Sequence, residues 1–253
     1  IALVFAGLIF LGAGLLMLPA ASQNGKGVSF LDALFTATSA TCVTGLVMFD
    51  TWTQWSGFGQ TVIICLIQVG GLGFMSIATL VVFLLRRKVG LKQRMLMAQA
   101  LSVNEMEGVV RLQKWVLLGS ITIQFTGAMI LFFRFLPAYG CVTALKWGVF
   151  HAVSAFCNAG FDIFGAIEPG QSVAVFNHDP VVMITLMALV VVGGLGFFVW
   201  EEVATTRQIK RWSVYTKLVL ISTFVLLLAK QLEWLLRERK ELKTFQSISF
   251  PTA

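Results

Sequence analysis

Charge is scarce in this sequence. Asp, Glu, Lys and Arg make up 12% of its 253 residues, where a soluble domain carries about 25%. That excludes an ordinary water-soluble fold. Cysteines are few (Cys42, Cys65, Cys141 and Cys157), and none is paired in the CxxC manner. Metal-cluster and redox readings are correspondingly weak. No nucleophile–base arrangement and no cofactor fingerprint is present, which argues against an enzyme. No Asp, Glu, Lys, Arg or His lies inside the apolar runs 58–85, 115–133 or 181–200. Proton-coupled carriers usually carry such residues in mid-membrane. There is no initiator Met, and the apolar start has no basic n-region, so it reads as a span cut at its start and not as a signal peptide. The ending SISFPTA is equally abrupt, and the expectation is a piece of a longer protein.

What is present is long hydrophobic runs. Hydrophobic residues reach 57%, with a mean hydropathy of +0.85. The fold class expected is an all-α polytopic membrane protein. Five spans are predicted: Ile1–Ala21, Phe58–Leu85, Trp115–Phe133, Val181–Trp200 and, more weakly, Trp212–Trp234. The connections after the second and fourth hold Arg86, Arg87, Lys88, Lys92, Arg94, Arg111, Lys114, Arg207, Lys210, Arg211 and Lys217. They account for the chain's net charge of +7, because the remaining segments balance. Basic connections face the cytoplasm, so the long connections Ser22–Gly57 and Arg134–Pro180 fall on the outer side. The cluster Arg237, Arg239, Lys240, Lys243 weakens that assignment. The basic residues flank spans without aromatic interleaving, so nucleic acid is not an expected partner. The lipid bilayer is.

The two outer connections repeat each other. Phe35-Thr36-Ala37-Thr38-Ser39-Ala40-Thr41-Cys42-Val43-Thr44-Gly45-Leu46 matches Phe150-His151-Ala152-Val153-Ser154-Ala155-Phe156-Cys157-Asn158-Ala159-Gly160-Phe161 without a gap. Gly70-Gly71-Leu72-Gly73-Phe74 then matches Gly193-Gly194-Leu195-Gly196-Phe197. The repeating unit is span, short helix, Gly-ended loop, span. Residues 1–110 hold the first unit and its cytoplasmic loop, 111–211 the second, and 212–253 the beginning of a third, whose short helix starts near Thr244.

Ser29 and Asp32 form a capping box in front of the first short helix. Phe30 to Ala40 would extend roughly 16 Å at ~1.5 Å per residue, about half a membrane. Such a helix has to be buried in protein, since its loop would otherwise leave backbone groups unpaired in lipid. Its C-terminal end carries partial negative charge and favours a cation. The loop Cys42-Val43-Thr44-Gly45 offers no charged side chain, only carbonyl oxygens. Several such loops around one axis can replace a cation's hydration shell. A divalent ion would call for carboxylates. Asp50 and Asp162 follow the loops, where they attract cations to the outer mouth or serve as capping residues.

ATSATCVTGL and AVSAFCNAGF resemble the selectivity-filter loops of the Trk/Ktr/HKT superfamily of potassium transporters. The span–pore helix–span repeat and GGLGF resemble it too, over essentially the whole chain, with the KtrB/TrkH type of bacterial membrane subunit most similar. The resemblance implies four units around a pseudo-fourfold pore with one filter glycine per unit, here Gly45 and Gly160. K⁺ would then lie at the carbonyls of Cys42, Val43, Thr44, Gly45, Cys157, Asn158, Ala159 and Gly160. It also implies a cytoplasmic nucleotide-binding regulatory subunit, a homodimer of membrane subunits in the plasma membrane, and no cofactor in the chain. SFPTA matches the start of the family's third loop, although the basic residue common between Pro and Thr is missing. The third filter and the fourth unit are not in this sequence.

Blander roles stand beside these. Gly45 and Gly160 can be turn glycines, and Cys42 and Cys157 packing residues. The GGLGF runs read first as helix-packing surfaces and second as hinges. His151 reads as hydrogen-bonded structure. Residues 86–114 suit headgroup contact or regulator docking. The rival functions are a solute or metal carrier with re-entrant loops, and a non-conducting assembly subunit.

Overall fold

The computed structural model describes residues 2–73, 109–206 and 208–229. These residues are helical, and among them there is no strand, only an antiparallel bridge between Ser22 and Trp55. The chain divides into two bodies, Ile1–Gly194 and Leu195–Ala253.

The first body starts with α1 (Ala2–Leu16), which ends ahead of a 3-10 turn at Pro19–Ala21. Helix α2 (Phe30–Thr41) begins at Ser29, whose Oγ accepts from the Asp32 N–H at 3.3 Å and donates to the Asp32 carboxylate at 2.8 Å. The Ser29 cap expected from the sequence is therefore formed, but the Asp32 carboxylate takes the Ser29 hydroxyl where a full capping box would have it take the Ser29 N–H. A single-turn helix α3 (Thr51–Gln54) leads into α4 (Gly57–Leu72), capped by Ser56. Helix α5 (Val109–Phe156) is broken at Gly140, whose φ of 74° and ψ of 168° only glycine adopts readily. Pro137, which has no N–H to give, prepares the break three residues earlier. The part of α5 after Gly140 is the counterpart of α2. Helix α6 (Pro180–Gly194) closes the body.

These helices correct the span boundaries. The stretch Trp115–Phe156 is long and apolar enough to cross a membrane, whereas Ala2–Leu16, Gly57–Leu72, Pro180–Gly194 and Val214–Ala229 are shorter apolar helices. Two of the expected spans stop early for one reason. Gly73 (φ 79°) ends α4, and Gly196 (φ 89°) separates α6 from α7 (Phe197–Thr205), so Val181–Trp200 is two helices and not one. The third glycine of each GGLG run is thus a helix break. Residues 74–85 of the second span, the basic residues 86–94 and the third short helix near Thr244 lie outside the described residues.

Packing repeats along with the sequence. A Cβ on Gly12 would sit 2.7 Å from a Leu66 methyl, and one on Gly127 would sit 2.7 Å from a Leu189 methyl. The outgoing and returning helices of both repeats therefore approach through the same glycine–leucine pair. Ala33, Ala37 and Ala40 on α2 are buried, as is Ala152 on its counterpart. Small side chains of this kind let a half-length helix press into the groove between two spans.

In the second body a 3-10 turn at Ile209–Arg211 joins α7 to α8 (Val214–Ala229). Glu202 accepts from the Ser213 N–H at 2.6 Å and from its hydroxyl at 2.7 Å, and also from the Thr216 hydroxyl. Hydrogen bonds from Thr216 first and Ser213 next hold its carboxyl below the usual range. A carboxylate at the start of a helix complements the helix dipole, so Glu202 fixes where α8 begins.

Candidate functional site

Both short helices end in the same turn. The Cys42 N–H donates to Thr38 O at 2.8 Å and the Thr44 N–H to Ser39 O at 3.0 Å. The Cys157 N–H donates to Val153 O at 2.9 Å and the Ala159 N–H to Ser154 O at 2.8 Å. Val43 (φ 56°) and Gly45 (φ 75°) are left-handed, and so are Asn158 (φ 58°) and Gly160 (φ 72°). A β-branched valine in that region is a strained placement. Its recurrence at the matching Asn158 marks the turn as something the surrounding packing enforces.

The structure brings the two turns together. A Cβ on Gly45 would lie 2.7 Å from Ala159 O and 3.5 Å from Gly160 Cα. A Cβ on Gly160 would lie 3.5 Å from Gly45 Cα. None of the carbonyls of Cys42, Val43, Thr44, Gly45, Cys157, Asn158, Ala159 and Gly160 accepts a hydrogen bond among the described residues. Cys42, Thr44, Asn158 and Gly160 are exposed and Val43, Gly45 and Cys157 half-buried, so these acceptors lie at a surface, where water or an ion can serve them.

The returning helices hold the turns from behind. A Cβ on Gly70 would fall onto the carbonyl of Thr41, and one on Gly193 onto that of Phe156. Gly71 faces Cys157, with a Cβ there 2.6 Å from the cysteine Sγ, while Gly194 has its nearest neighbour at 3.7 Å in Asn158. Cys157 is in this way a packing residue, whereas the Cys42 side chain is exposed. The GGLG motif divides its work: its first glycine admits the end of the short helix, and its last breaks the returning one.

Beyond the turns the two connections differ. Leu46, Val47, Met48 and Phe49 are exposed, while Phe161, Ile163 and Phe164 are buried. His151 organises the second connection. Its Nδ1 is 2.7 Å from Trp147 O, and its Nε2 accepts from the Ile163 N–H at 3.2 Å, which makes it a neutral imidazole with the proton on Nδ1. The ring stacks on Phe164 at 3.7 Å, and Trp147 and Phe135 meet Phe164 edge-on. This is the hydrogen-bonded structural role expected for His151.

Asp50 caps α3, and Asp162 closes a turn within its own loop. Asp50 Oδ1 accepts from the N–H groups of Trp52 (2.9 Å) and Thr53 (3.0 Å), and Oδ2 from Gly170 N–H (3.3 Å) in the other repeat. Gly165 is required there, since a Cβ would strike the Asp50 carboxylate. Asp162 accepts from the Phe164 N–H at 3.2 Å and the Ser172 hydroxyl at 2.6 Å. Burial lifts the Asp162 carboxyl above the usual range, and the charge of Asp50 adds to the effect. The bonds from Ser172 and Phe164 oppose it.

The bases of the connections are pinned by different means. Around the Ser22–Trp55 bridge, the Ser56 N–H donates to Ala21 O at 2.8 Å and the Gln23 N–H to Gln54 O at 2.9 Å. In the second repeat Arg134 pairs with Asp179 at 2.7 Å, and Asp179 caps α6 through the Val181 N–H at 3.1 Å. The sequence reading missed this pair and the Gly165–Gly170 contact with Asp50. The only signal was a charge at each end of the second connection.

A cation transport protein family model, TrkH, matches residues 8–239. The chain belongs to that family. It is 46% identical over 86% of its length to the Ktr system potassium uptake protein B of Bacillus subtilis (strain 168), and covers 47% of that protein. It is 38% identical over 93% of its length to the potassium/sodium uptake protein NtpJ of Enterococcus hirae, covering 51% of it. A third relative, the Ktr system potassium uptake protein B of Vibrio alginolyticus, is 35% identical over 98% of the chain, which covers 54% of it. The chain thus spans about half the length of these relatives. The all-α membrane architecture expected from composition is that of a membrane transporter family.

Proposed function

We propose that this chain supplies two of the filter turns through which a Trk/Ktr-type membrane subunit takes up potassium. The observation that carries this reading is the meeting of two repeated turns whose eight carbonyls accept no hydrogen bond among the described residues. Such oxygens can stand in for the hydration shell of a monovalent cation. Both short helices end at these turns, and a helix C-terminus carries partial negative charge. In the proposal the ligands are the backbone oxygens of 42–45 and 157–160, and the complete pore is pseudo-fourfold. The filter opens to the outer side, where Asp50 and Asp162 lend negative charge to the mouth while holding their loops. K⁺ is the transported ion, and discrimination against Na⁺ depends on how rigidly the turns are held.

Two of the relatives are, by name, potassium uptake proteins of a Ktr system. By likeness, we propose a multi-subunit assembly in the cell membrane: a nucleotide-binding regulator on the cytoplasmic side and a homodimer of membrane subunits.

The test is Rb⁺ and Na⁺ uptake into liposomes holding the complete protein, with Gly45→Ser and Gly160→Ser alongside. The proposal expects high Rb⁺ flux, with either substitution admitting Na⁺ or abolishing uptake. Flux indifferent to both glycines would remove the filter role and leave the carrier and assembly readings.

A further inference from the structure

Helical hydroxyls in this chain mostly fold back on their own helix. Thr36 donates to Asp32 O, Thr38 to Leu34 O, Ser120 to Val116 O and Thr185 to Val181 O, each four residues back. This is the usual satisfaction of a helical Ser or Thr. Ser39 and Ser154 do otherwise. Ser39 Oγ donates forward to Leu46 O at 2.7 Å, and Ser154 Oγ to Phe161 O at 2.5 Å. The two serines hold the same place in their repeats, and both are buried, at 3% and 2% exposure. Their acceptors are the carbonyls directly after Gly45 and Gly160. Each bond therefore ties the far side of a glycine turn to the helix that carries its near side.

We propose that Ser39 and Ser154 are positioning residues that set the ion selectivity of the two turns. The proposal rests on the filter reading above. The four carbonyls of each turn accept no hydrogen bond among the described residues, so their spacing is set by the N–H bonds of the turn and by what holds the residue after the glycine. The near end is held by N–H bonds back to the short helix, at Cys42 and Thr44 in one repeat and at Cys157 and Ala159 in the other. The far end is held by the serine hydroxyl. Without it the residue after the glycine can move away, and the carbonyl cage can adjust to a smaller ion. The first turn has a reserve that the second lacks. Thr44 Oγ1 donates to Ser39 Oγ at 3.0 Å and lies 3.4 Å from Ser39 O. Its counterpart Ala159 has no hydroxyl.

The experiment is the Rb⁺/Na⁺ uptake ratio of the complete protein in liposomes, with thermal unfolding in detergent as the check on folding. Ser154→Ala is expected to lower the ratio about tenfold, and Ser39→Ala about threefold, the range one hydrogen bond commands. Ser154→Cys, which keeps the shape but is a weak donor, should resemble Ala, while Ser154→Thr keeps the hydroxyl and should retain the ratio. Should Ser154→Ala fold poorly, the Cys form supplies the ratio. Gly160→Ser is the reference for the filter itself. Unchanged ratios in the Ala and Cys forms, with Gly160→Ser shifting its own, would overturn the positioning role and leave the filter intact. A ratio lowered equally by Thr would also overturn it, by showing a steric site. If Gly160→Ser too leaves the ratio unchanged, the filter reading fails, and the positioning role fails with it.

Discussion

The two repeats share one turn and surround it differently. In the first, the residues after the glycine are exposed, with Leu46 at 61%, and the base is closed by a backbone bridge between Ser22 and Trp55. In the second, Phe161 is 3% exposed, His151 ties the loop to its helix, and Arg134 pairs with Asp179 at the base. The turn dihedrals nevertheless agree, at 56° and 75° against 58° and 72°. What the repeats keep is therefore what the turn needs: the serine bond, the left-handed pair and the glycine behind the short helix. What they vary is support from further out, where several solutions serve equally well.

The sharpest way to strain this comparison is behind the turns. Gly70→Ala and Gly193→Ala each drive a methyl into a helix-end carbonyl. Both should destabilise the protein by about 3 kcal/mol or more, seen as matching losses of detergent-solubilised folded protein. Gly194→Ala, whose methyl would meet only Asn158 Nδ2 at an ordinary 3.7 Å contact, should stay near wild type. The turn glycines should separate next. Gly45→Ala meets Ala159 O at 2.7 Å as well as paying left-handed strain, while Gly160→Ala meets only strain. The first should be worse by roughly 1–2 kcal/mol in thermal unfolding.

Smaller effects belong to the outer supports. His151→Ala strands a buried Ile163 N–H and should cost about 2 kcal/mol. Its counterpart Thr36→Ala loses only a bond within its own helix and should cost under about 1 kcal/mol. Asp179→Asn, which removes a half-exposed ion pair but keeps a capping oxygen, should cost under about 1 kcal/mol, and less at high salt. Asp162 gives the smallest effect, and it is one of pH. Its carboxyl is raised in the fold, so the native state holds the proton more tightly than the unfolded chain. The stability this lends is present below the ordinary carboxylate range and is lost as pH rises through the raised value. Asp162→Asn should remove that slope from a stability–pH profile.

Much of this was legible in the sequence. The matched segments placed both turns, and Ser29 with Asp32 marked the start of α2. The aligned Ser39 and Ser154 were visible as a coincidence, but a sequence does not say whether a hydroxyl turns back or forward. Helix ends were less legible. Apolar runs such as Val181–Trp200 give hydrophobic length and no internal stop, and Gly196 reads equally well as packing or as a break until its φ is known. Gly140 was hidden for the opposite reason, since α5 resumes at once beyond it. The different exposure of Leu46 and Phe161 had no signal in two equally apolar segments. The aromatic cluster of Phe135, Trp147 and Phe176 encloses Phe164, three residues further on.

The most direct measurement is anomalous scattering from Rb⁺ in a structure of the complete protein. The account predicts density between the turns, ringed by carbonyl oxygens of residues 42–45 and 157–160 and distant from every carboxylate. Density only at Asp50 and Asp162, with none between the turns, would contradict it.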